Sequence, residues 1–108
     1  MNREMELLSW IQDWFCSNCN GDWEHNQNFT IETLDNPGWS VFINLEETIM
    51  ERKPFSRIYL ERDENDWVYC TVENKVFKSA CGPRNLIEVL SIFKQWCDST
   101  TSSMNQFA

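Results

Sequence analysis

Five cysteines, one histidine and seventeen carboxylates are the groups in this chain best suited to do chemistry. Cys16 and Cys19 have the CxxC spacing of a dithiol redox pair or of half a zinc site. A thioredoxin-like pair opens a helix, where the helix N-terminus lowers the thiol pKa, whereas this pair falls at the end of an amphipathic run. A structural zinc needs four ligands, and His25, Cys70, Cys81 and Cys97 lie scattered without a second paired spacing. No metal and no cofactor are expected. Cys81, in Ala80-Cys81-Gly82-Pro83-Arg84 ahead of a helical segment, supports a catalytic alternative: a thiolate nucleophile of a rhodanese-like sulfurtransferase. Such enzymes use a parallel α/β sheet and a longer cradling loop. Neither is legible here, which favours a plain strand-to-helix connection and a protein that is not an enzyme.

The histidine sits in the densest polar cluster, Gly21-Asp22-Trp23-Glu24-His25. Asp22, Glu24 and His25 offer an acid, a base or metal ligands. The plainer reading has Asp22 capping backbone, Trp23 filling the core edge and His25 bonding a neighbour. As a partner-binding patch the same segment offers an aromatic anchor beside charge. Asp35, Asn36 and Trp39 join it as candidate contact residues if the first hairpin turn lies beside this loop. Trp39 and Trp67 each follow a turn, a place where tryptophan is more often core than contact.

These residues need elements to position them. In residues 5–19, Leu7, Leu8, Trp10, Ile11, Trp14 and Phe15 recur at helical spacing, and Asn18, Asn20 and Gly21 end the run. Phe29–Leu34 and residues 39–45 read as strands, the second placing Trp39, Val41, Ile43 and Leu45 on one face. Asp35-Asn36-Pro37-Gly38 between them is a turn, with Pro37 presetting φ and Gly38 free to take a positive one. Residues 57–62 and 67–73 form a second predicted hairpin, residues 76–78 a short fifth strand, and residues 46–53 a loop or an edge strand. After Gly82 and Pro83, the residues Leu86, Val89, Leu90, Phe93 and Trp96 or Cys97 form a second helical stripe, with Pro83 in its first turn. The expected fold is α+β: an antiparallel sheet of four to five strands packed against an N-terminal and a C-terminal helix. One domain is expected over residues 1–98, with residues 99–108 a polar, frayed tail.

Nine Lys and Arg against seventeen Asp and Glu leave a net charge of −8, which repels nucleic acid and anionic lipid and attracts basic proteins. Glu46, Glu47 and Glu51, with Glu61, Asp63, Glu64 and Asp66, make the surface acidic. Six Trp and seven Phe supply apolar bulk enough to order the chain. Residues 1–6 carry no basic start with an apolar run, and no stretch approaches membrane-spanning length, so a cytoplasmic location is expected, in keeping with an odd number of thiols.

Leu8-Ser9-Trp10-Ile11-Gln12-Asp13-Trp14, Gly21-Asp22-Trp23-Glu24-His25, Thr33-Leu34-Asp35-Asn36-Pro37-Gly38-Trp39 and the closing helix from Asn85-Leu86 to Trp96 together resemble the immunity protein 53 family of bacterial polymorphic toxin systems. The resemblance runs from about Leu7 to Trp96. It implies an inhibitor that protects its producer by binding the toxic domain of a cognate toxin, often a nuclease.

Overall fold

The computed structural model describes residues 2–26 and 28–99. The polar tail beyond residue 99 lies outside the described residues. Helix α1 (Arg3–Asn18) begins where the Asn2 side chain accepts the Met5 N–H at 2.8 Å, with Glu4 and Glu6 in its first turn against the positive helix end. It ends where the Ser17 hydroxyl and the Asn18 amide both donate to the Trp14 carbonyl, followed by Gly21 at φ +93°. A single 3₁₀ turn (Trp23–His25) then leads into the sheet.

The strands are β1 (Phe29–Leu34), β2 (Gly38–Asn44), β3 (Ile58–Asp63), β4 (Asp66–Glu73) and β5 (Val76–Cys81), closed by α2 (Leu86–Asp98). All neighbours are antiparallel in the order β1-β2-β5-β4-β3. The α+β architecture is as the sequence predicts, with five strands. β5 runs three residues further than expected, because Phe77, Ser79 and Cys81 keep alternating inward through a stretch of small residues. Pro83 is not in the first turn of α2. It lies in a turn closed by the Asn85 N–H on the Gly82 carbonyl, and the helix starts at Leu86.

The alternation in β2 places Val41 and Ile43 on the helix-covered face, where both are fully buried with Leu45. Phe93 of α2, itself fully buried, is the hub of that side. Its ring contacts Trp10 and Trp14 of α1, Phe29 of β1, Phe77 of β5 and Trp96 of α2, at centroid separations of 5.0 to 6.4 Å. The long connection between β2 and β3 crosses the same side. Met50 and Phe55 pack into the core, the Trp96 indole donates to the Pro54 carbonyl at 2.8 Å, and the Lys53 ammonium donates to the Trp96 carbonyl at 2.7 Å. Gly38 admits no side chain: a Cβ there would lie 2.3 Å from the Cys81 carbonyl oxygen on the neighbouring strand.

At the other end of α2, Arg62 bridges Asp66 at 2.7 Å and Glu88 at 2.5 Å, and the buried Asn85 amide donates to both carboxylates. Arg62, then Asn85, hold the Glu88 carboxyl below its ordinary range. The network fixes the β3–β4 hairpin to the start of the helix.

Removing the hub ring has a defined cost. Phe93→Ala is expected to lower the unfolding free energy by about 3–5 kcal/mol, a large share of the roughly 5–15 kcal/mol typical of a domain. Urea denaturation checks this: the midpoint falls sharply, and a loss under about 1 kcal/mol would show that the five-ring contact is not the centre of the fold.

Candidate functional site

The segment from Asp22 to His25 is built chiefly by its own hydrogen bonds. The Glu24 carboxylate accepts the N–H groups of Asn20 at 2.9 Å and Gly21 at 2.7 Å, and the Asn20 side chain accepts those of Asp22 and Trp23. Backbone donors, its own N–H first, hold the Glu24 carboxyl below the usual range, so it serves to close the loop. Trp23 is buried, with its ring against Trp14 and Phe15. It is a core residue, not an exposed anchor. Asn28, also buried, donates to the Trp23 carbonyl and accepts from the Asn44 amide at 2.9 Å, tying the loop to the end of β2. Asp22 and His25 keep exposed side chains.

The loop and the first hairpin turn do not meet. Phe29 pairs with Ile43 at the loop end of the hairpin and Leu34 with Gly38 at the turn, so Asp35 and Asn36 lie a whole strand away, roughly 17–20 Å for six residues. Asp35 and Asn36 are exposed there. Trp39 is half-buried, and its indole donates to the Pro83 carbonyl at 3.0 Å, closing the connection from β5 to α2. The neighbours of Asp22 are instead Asn26, Asn44, Glu46 and Glu47, which line a polar concavity of about 240 Å³. The sequence hides this pairing, because the carboxylates of Glu46 and Glu47 come from a loop with no periodic pattern. A positive φ of 67° at Glu47 turns that loop back, and the Glu47 N–H donates to Glu51.

A second feature went unread in the sequence. Both helices cover one face of the sheet, which leaves the other face open. The open face carries Phe42 of β2, Lys78 and Ala80 of β5, Tyr69 and Trp67 of β4, and Tyr59 and Glu61 of β3. Tyr59 and Tyr69 stack at 4.5 Å and Trp67 lies 4.9 Å from Tyr69. Tyr59 is 64% exposed and Phe42 42% exposed. Between the Phe42 ridge and the tyrosine ridge runs a groove of about 480 Å³ with Ala80 and Thr71 on its floor. The signal is present in Trp67 and Tyr69 alternating with Val68 and Cys70, but alternation alone does not say which face the helices take.

Cys70 and Cys81 are buried and Cys97 is half-buried, while Cys16 and Cys19 are exposed. Cys81 is fully buried, and burial pushes its thiol up to about 11; burial likewise raises Cys70 and Cys97, each to about 12. A protonated, enclosed thiol is not the nucleophile a sulfurtransferase needs. Cys16 and Cys19 are exposed at the C-terminal end of α1, and no group of three or more His, Cys, Asp or Glu among the described residues is arranged to hold a metal. Iodoacetamide is expected to label Cys16 and Cys19 in the native protein and Cys70, Cys81 and Cys97 only after denaturation, read by mass spectrometry. Rapid native labelling of Cys81 would restore the catalytic alternative.

No helix among the described residues is long and apolar enough to cross a membrane. No curated protein and no solved structure matches the chain. A family model described as Immunity protein 53 matches residues 8–98, a span that takes in most of α1, all five strands and α2 to its last residue, and the chain belongs to that family.

Proposed function

We propose that this protein neutralises a cognate polymorphic toxin domain, a nuclease in the reading favoured here, by stoichiometric binding in the cytoplasm and not by turnover. The observation that carries the proposal is membership of the immunity protein 53 family across residues 8–98. Two physical features support it. The net charge of −8 suits a partner with a basic, nucleic-acid-binding cleft and raises the rate of encounter with it. The exposed aromatic residues supply the kind of anchor that slows release.

Of the residues singled out from the sequence, Asp22, His25, Asp35 and Asn36 present exposed side chains to such a partner. Trp23, Glu24 and Trp39 contribute by holding the backbone that carries them. Asp22 acts with Glu46 and Glu47, whose carboxylates share its concavity.

Co-purification with the product of the adjacent upstream gene, tested as the cognate toxin, followed by calorimetric titration at low and high salt, tests the proposal. The expected result is a one-to-one complex that weakens as salt rises. Glu46→Lys with Glu47→Lys is expected to slow association by about tenfold or more while leaving the thermal melt cooperative. No binding by the wild-type chain would contradict the proposal.

A further inference from the structure

The register of the open face sorts its side chains into rows across the strands. Arg57 of the chain entering β3 and Lys78 of β5 flank Thr71 in one row. Tyr59, Tyr69 and Ala80 form the next, since Tyr59 pairs with Tyr69 and Tyr69 with Ala80. Glu61 and Trp67, also paired, form the third. Adjacent rows are about 6.6 Å apart, two residues along a strand. The open face therefore runs from Arg57 and Lys78, with Glu73 beyond them, through the aromatic row over the groove to Glu61 outside its far end.

Glu61 is exposed, and one of its oxygens, Oε2, accepts the Tyr69 hydroxyl at 2.9 Å. That bond holds the carboxylate at the hydroxyl of Tyr69, whose ring stacks on Tyr59, with Trp67 opposite Glu61 in the register. Among the described residues the cation–π contact is Lys94 over Trp10, on the helix side of the sheet, and none falls on these three rings. A carboxylate beside stacked rings is the surface that takes a guanidinium: the flat cation lies on the ring face and its N–H groups pair with the carboxylate. At the other end Lys78 is paired with Glu73 at 3.5 Å, so Arg57 supplies the surplus positive charge of that row.

We infer that the open sheet face is the surface that grips the toxin, with an arginine of the toxin seated on Tyr59 and Trp67 against Glu61. An apolar side chain of the toxin enters the groove between Phe42 and Tyr69, and a carboxylate of the toxin meets Arg57. This inference rests on the toxin-binding reading and adds its location and chemistry. The charge order along the face sets the orientation of the partner, because a reversed partner would bring its arginine to Arg57 and Lys78.

Calorimetric titration of the toxin domain that co-purifies with the wild-type chain, carried out with variant chains, tests it. Glu61→Gln is expected to weaken the complex at least about tenfold and Tyr59→Ala about tenfold to a hundredfold, while Tyr59→Phe, which keeps the stacked ring, stays within about threefold. Glu4→Gln, on α1, leaves affinity unchanged. Glu61 and Tyr59 have exposed side chains, so the variants still melt cooperatively, Tyr59→Ala a few degrees lower through loss of the stack on Tyr69. Wild-type binding with undiminished affinity in Glu61→Gln and Tyr59→Ala overturns this inference and leaves the toxin-binding reading standing. Failure of the wild-type chain to bind overturns both. A homodimer of the free chain in sedimentation that Tyr59→Ala dissociates assigns the face to a second copy instead.

Discussion

Phe93 has to be buried on three sides at once, and the architecture follows from how that is done. Its ring meets α1 through Trp10 and Trp14, the sheet through Phe29 and Phe77, and its own helix through Trp96. Edge-to-face contacts of this kind add about 0.5–1.5 kcal/mol per pair to the burial of the rings themselves. They also demand that both helices and the inward alternation of β1 and β5 lie on one side. The connection of residues 45–57 is drawn onto the same side, locked to the end of α2 by Lys53 and by the Trp96 indole.

Concentrating the core on one face leaves the other without a cover. A solvated sheet face ordinarily carries small polar and charged residues, and Thr30, Glu32, Thr71 and Glu73 conform. The tyrosines, Trp67 and Phe42 do not: Tyr59 and Phe42 are exposed and Tyr69 and Trp67 half-buried, and such rings on an open face are a cost in solubility that a binding surface accounts for. The carboxylates spread over both ends of the molecule serve a different step. They act at long range on the approach of a basic partner, whereas the rings act only on contact.

Much of the fold was legible because alternation and helical spacing are local signals. β1 is found at its predicted bounds, and β2, β3 and β4 within one residue of theirs. The expected β5 stops at Lys78 because Ser79, Ala80 and Cys81 have little strand propensity of their own, and they pair because two neighbouring strands offer them partners. The site was less legible. Asp22 to His25 stood out by composition, yet Trp23 and Glu24 are spent inside the loop, and sequence spacing could not show that one strand length separates Asp22 from Asp35. Its true neighbours, Glu46 and Glu47, arrive through a loop whose path is set by tertiary contacts. The open face was invisible for a related reason: period-two patterns show two faces but not which one the helices cover.

On the proposed reading, one face of the sheet holds the molecule together and the other holds its partner. Amide and side-chain NMR shifts of the isotope-labelled chain, recorded on titration with the toxin domain, test this most directly. The largest changes are expected on Phe42, Tyr59, Glu61, Trp67 and Tyr69, with Asp22 and Glu46 following at low salt, while the outward surface of α1 is unmoved. Changes confined to α1 and α2, with the ring signals of Tyr59 and Trp67 unaltered, would contradict it.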